Sequence, residues 1–300
     1  MHRPRRSLRV AALILTLVAG ACEDGTSPGA DLALTFQGLE PLAGGFHYEG
    51  WAILASGPVS TGKFNVSATG ALVTLSGAAI PGGSFRTDRS LDGATAIVIT
   101  IEPNGDVDKV PAATKMLAGA LAAGTASLRI ADAPALATDF SAVSGSFILA
   151  TPTDGPDNNE KSGLWFLRPG TAPSASLTLP SLPAGWRYEG WAVIAGKPVT
   201  TGTFTSATGA DAAAPYSGAL SAPPFPGEDF LRAAPAGLTF PTDLSGGMAV
   251  ISVEPFPDDS PGPFTLKPLT GAIPANAAVM TSYSMTRNTT PFPTGTASIR

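Results

Sequence analysis

The chain has 300 residues, with 18 Lys and Arg against 23 Asp and Glu, two histidines and one cysteine. A net charge of −5 with scattered cations excludes the dense basic patch that phosphate backbones require, so no nucleic-acid partner is expected. One cysteine excludes an intrachain disulfide, and 34 Gly with 29 Pro exclude long helices while suiting turn-rich strands.

Residues 1–21 read as an export signal. Arg3, Arg5, Arg6 and Arg9 precede an apolar run from Val10 to Val18, and Ala19-Gly20-Ala21 is a small-residue cleavage context. The run is too short to span a bilayer, which takes about 20 apolar residues. Cys22 follows at once. Leu17-Val18-Ala19-Gly20-Ala21-Cys22 resembles a bacterial lipobox, although Ala19 stands where Leu is usual. The expectation is a lipid on Cys22 that anchors the protein to a membrane of the bacterial cell envelope, facing away from the cytoplasm. Residues 22–31, with Glu23-Asp24-Gly25-Thr26-Ser27-Pro28-Gly29, read as a flexible tether. Loss of the four signal arginines leaves 14 cations against 23 anions, so the mature chain lies near −9.

A phrase then occurs twice. YEGWAILASGPVSTGKF runs from Tyr48 to Phe64 and YEGWAVIAGKPVTTGTF from Tyr188 to Phe204, with eleven of seventeen positions identical. Each reads as two strands around a Gly/Pro turn. AIVITIEP from Ala96 answers AVISVEP from Ala249. Pro111, Lys115, Leu117 and Gly119 answer Pro263, Lys267, Leu269 and Gly271, and GTASLR from Gly124 answers GTASIR from Gly295. Anchors in one order predict a duplicated domain. The strands and the absence of sustained 3.6-residue periodicity predict an all-β fold of two tandem antiparallel β-sandwich, immunoglobulin-like domains, at 32–170 and 171–300. SGSFILATPTDG and SGLWFLRPG predict a further hairpin in the first copy. The second copy has no counterpart after GTASIR, so a C-terminal sheet edge is expected to borrow a strand or to receive one from an envelope protein.

Tyr-Glu-x-Trp, a Gly/Pro turn, Thr-Gly-x-Phe and a later Ile/Val-Glu-Pro strand resemble the extracytoplasmic C-terminal domain of the anti-sigma-K factor family. The residues that carry this are Tyr48, Glu49, Trp51, Pro58, Gly62, Phe64, Glu102 and Pro103, and Tyr188, Glu189, Trp191, Pro198, Gly202, Phe204, Glu254 and Pro255. The sigma-binding segment and transmembrane helix of that family have no match here. The resemblance implies a sensing or interaction module, used twice.

Little in the sequence points to a reaction, and no catalytic residue, cofactor or metal is expected. His47 is the one histidine after the signal, and its counterpart is Arg187. The matched residues Tyr48, Glu49, Trp51, Glu102, Lys115, Tyr188, Glu189, Trp191, Glu254 and Lys267 stand as structural or interaction residues, with Asp106 and Asp258 also paired. Their bland reading is a carboxylate bonded to backbone or to Lys115 at a sheet end. The alternative is a glycan-binding or glycan-hydrolysing site built on paired carboxylates and exposed tryptophans. The loop 154–160 is rich in oxygen ligands but lacks calcium-loop spacing.

Overall fold

The structure, a computed structural model, describes residues 29–155, 159–258, 260–288 and 292–300. The signal, Cys22 and most of the tether lie outside the described residues, as do the middle of the 154–160 loop, residue 259 and residues 289–291. Among the described residues the chain is all-β in antiparallel sheets, consistent with a β-sandwich, and its one helical element is the single turn Pro81–Gly83. Lys115–Ala120 is a strand; its Gly119 lies against the Ser127 carbonyl, where a Cβ would sit 2.0 Å away.

One sheet has nine strands. In spatial order they are β4 (Leu72–Val73), β3 (Gly57–Val66), β2 (His47–Leu54), β6 (Ala96–Glu102), β7 (Lys115–Ala120), β8 (Thr125–Arg129), β20 (Thr294–Ile299), β1 (Asp31–Gln37) and β5 (Ser84–Arg86). The sheet rolls until β5 meets β3: the Phe85 and Phe64 rings lie 5.5 Å apart, and Phe64 stacks on Phe36 of β1 at 5.4 Å. Leu32, Leu34, Tyr48, Phe64, Ile99, Leu117 and Leu128 fill the interior. Full burial of each such side chain stabilises by about 1.5–3 kcal/mol.

The second unit is built from two sheets and a ribbon. Five strands run β14 (Lys197–Phe204), β13 (Trp186–Ile194), β16 (Met248–Pro255), β17 (Leu269–Ala272) and β19 (Thr286–Arg287). Four more run β18 (Tyr283–Ser284), β9 (Ser146–Leu149), β10 (Gly163–Trp165) and β15 (Gly227–Asp229). Met285 joins β18 to β19, so one extended segment carries both sheets. A short ribbon, β11 (Leu167–Arg168) with β12 (Ser174–Ala175), leads into β13.

The two opening hairpins have the same register. Tyr48 faces Phe64 and Tyr188 faces Phe204, and each ladder slips by one residue after Gly50 or Gly190. The slip is a bulge that leaves Thr61 or Thr201 as the extra residue. Gly62 and Gly202 follow it at φ +139° and +115°, a region that only glycine occupies without strain.

The division expected at 170 is not the division of the sheets. β9, β10 and the ribbon pair within the second unit, so the hairpin assigned to the first copy belongs to the second. β20 lies inside the first sheet, with Thr296 opposite Ser127 of β8 on one side and Thr35 of β1 on the other. The expected open C-terminal edge is therefore absent from 294–299. The second unit is one continuous stretch from about 144 to 288, and the first is built from residues up to about 143 plus the last strand. The sequence match of GTASLR with GTASIR is also not the structural match. Those two strands lie side by side, whereas β20 takes the place in the first unit that β9 takes in the second. Thr294-Gly295-Thr296 thus corresponds to Ser144-Gly145-Ser146. Each glycine is closely covered: a Cβ would sit 2.5 Å from Phe36 Cδ1 or 2.7 Å from Leu177 Cδ2.

Candidate functional site

The matched residues of the opening hairpins occupy equivalent positions in the two units. Tyr48 and Tyr188 are buried, and each hydroxyl donates to a carbonyl eight residues earlier, Glu40 at 2.9 Å and Pro180 at 2.7 Å. Trp51 and Trp191 are 0% and 2% exposed, and so offer no face on which a sugar could stack. Trp51 Nε1 donates to Thr100 at 2.9 Å and Trp191 Nε1 to Ser252 at 2.7 Å. These hydroxyls reach the second glutamate of each unit: Thr100 donates to Glu102, and Ser252 bonds Glu254.

Both second glutamates clamp the following loop. Glu102 Oε1 accepts the Ala112 amide at 2.9 Å, and Glu254 accepts the Phe264 amide at 2.9 and 3.1 Å. Lys115 and Lys267 cap the same loops, donating to the Ala112 carbonyl at 3.2 Å and the Phe264 carbonyl at 2.7 Å. Neither is an ion-pair partner of the glutamates, which corrects the pairing expected with Lys115.

The cation beside Glu49 is Lys63. Its Nζ lies 2.8 Å from Asp106 Oδ2, 2.7 Å from the Asp106 carbonyl and 3.6 Å from Glu49 Oε2. Ser60 donates to the other oxygen of Glu49. Burial pushes the Glu49 carboxyl up and the His47 imidazole down. The bond from Lys63 holds Asp106 below the usual carboxylate range. Burial opposes the charge of Lys63, but the bond to Asp106 and the charge of Glu49 together raise it. Glu49, Ser60 and Lys63 floor an open depression rimmed by Arg89, Asp108 and Lys109.

The second unit keeps the carboxylates without this lysine. Thr203 stands opposite Glu189 where Lys63 stands opposite Glu49. Glu189, Glu254 and Asp258 each bring an oxygen within 4.8 Å of the others. Burial pushes Glu189 up to about 7 and Glu254 up to about 8, with the neighbouring carboxylates adding to both. Arg187, in the place of His47, lies over the Phe256 ring at 3.7 Å. Sequence reasoning named the carboxylates but missed Lys63. The visible signal was the Lys63-to-Thr203 difference in the repeated phrase, which gains meaning only when the Asp106 loop folds back upon it.

No family model matches the chain, and no curated protein and no solved structure matches it.

Proposed function

We propose that the protein is a non-enzymatic lipoprotein of the bacterial cell envelope, anchored through Cys22, whose two β-units act as a sensing or interaction module. The observation that carries this reading is the use made of the repeated residues. The tyrosine, tryptophan and second glutamate of each unit are buried and spent on bonds that hold strand to strand or strand to loop. A glycan site would present them in an open cleft. The resemblance to the anti-sigma-K outer domain supports the same reading through these residues. The export signal and the small residues before Cys22 support the anchor.

Two measurements test this together. Cys22→Ser should move the protein from the membrane to the soluble fraction; unchanged membrane partition removes the anchor. Incubation with envelope glycans should release no reducing ends. Release that disappears in Glu49→Gln or Glu189→Gln would make the protein a hydrolase.

A further inference from the structure

We propose that Glu189, Glu254 and Asp258 form a binding site for a hard divalent cation, with calcium the best fit, and that Lys63 occupies the equivalent place in the first unit. This goes beyond the interaction-module reading and does not depend on it.

The first observation is the donor set. Three carboxylates from β13, the end of β16 and the loop after it converge within 4.8 Å. Calcium takes oxygen ligands, carboxylates foremost, in flexible geometry and completes its shell with water. Asp258 is exposed and opens the cluster to solvent, whereas Glu189 and Glu254 are buried.

The second observation is an unsatisfied oxygen. Thr200 donates to Glu189 Oε1, but Oε2 is buried with no hydrogen-bond partner, and Glu189 is only 6% exposed. An uncompensated buried carboxylate oxygen is costly. No Lys, Arg or His among the described residues lies within 4.0 Å of Glu189 or Glu254 as an ion pair. Glu254 spends its oxygens on the Phe264 amide, and Asp258 Oδ1 accepts the Ser260 amide at 3.1 Å. Oxygens accepting such bonds retain lone pairs for a metal.

The third observation is the internal comparison. Glu49 and Asp106 correspond to Glu189 and Asp258, and a cation already sits between them: Lys63 Nζ, at 3.6 and 2.8 Å. One unit carries its positive charge on a side chain. The other has Thr203 there, and the buried Glu189 Oε2 faces the cluster with no hydrogen-bond partner.

Calorimetric titration of the purified full chain with calcium chloride, after chelation, tests the assignment. One equivalent should bind. Thr203→Lys should weaken binding at least tenfold by placing an ammonium in the site, and Glu189→Gln should do the same without adding bulk. Lys63→Thr should add a second equivalent; a stoichiometry that stays at one overturns the equivalence drawn between Lys63 and the bound cation. Absence of binding at millimolar calcium overturns the site, and so does unchanged binding in both Thr203→Lys and Glu189→Gln. Circular dichroism of each variant checks that it is folded. If Thr203→Lys does not fold, the near-isosteric Glu189→Gln decides.

Discussion

Replacing Trp51 with alanine separates a packing role from a ligand-binding one. Trp51 is fully buried on the outer face of β2, against Val98, Ala118 and Ala135 with Ile53 alongside. Truncation removes the indole, leaves a cavity that rigid strands fill only in part, and deprives Thr100 of its donor. A large aromatic lost from such a site costs about 3–5 kcal/mol. Total stability of an ordinary domain is about 5–15 kcal/mol. The variant should therefore lose a large share of its resistance to urea, read as a lower midpoint by far-ultraviolet circular dichroism with little change in slope. Trp51→Phe should cost less, because most of the volume remains. Trp191→Ala should behave alike through its bond to Ser252, and the two losses should add because the sites lie in separate units. A Trp51→Ala protein within about 1 kcal/mol of the parent would refute the reasoning, since that is what a surface substitution does.

Three further outcomes follow from the same geometry. Tyr48→Phe and Tyr188→Phe each remove one buried hydrogen bond and should cost about 1 kcal/mol in urea unfolding, to a similar extent in the two units. Burial pushes Asp211 and Glu228 up to about 7 from ordinary values of 3.8 and 4.5. Raised acids stabilise the fold fully below those ordinary values and lose that contribution as pH climbs to about 7, so Tm should fall over this range and Glu228→Gln should flatten the fall. Deleting residues 294–300 uncovers the facing edges of β1 and β8, so amide exchange should quicken at Ala33, Thr35 and Leu128 while β9 and β10 stay protected.

Strand positions were legible because the repeated phrase carries its own punctuation. Gly50, the Gly/Pro turn and Gly62 specify a bulged hairpin, and Gly190 and Gly202 specify it again. Burial of Trp51 and Trp191 was legible from the apolar residues around them. The frame of the units was not. Thr-Ala-Ser-Leu and Thr-Ala-Ser-Ile are short alternations of small and apolar residues, a pattern that suits any strand in a crowded sheet. They matched as text and came to rest as neighbours. The informative match, Gly145 with Gly295, is a single glycine whose meaning is the side chain pressed against it. Lys63 was hidden for a related reason. Its partner Asp106 arrives from 43 residues away, and no local pattern announces such a meeting.

The place of β20 also bears on how the protein is made. Asp31 and Arg300 exchange backbone bonds at 3.2 and 2.8 Å, so the first residues of the fold wait for the last one. During synthesis, β1 to β8 emerge early but lack the strand that belongs between β8 and β1. The second unit uses no strand beyond Thr286–Arg287 and does not depend on β20. Until β20 arrives, the earlier half carries two facing unpaired edges, the condition in which a nascent sheet captures foreign strands. The half that leaves the ribosome first cannot be finished until β20 has emerged.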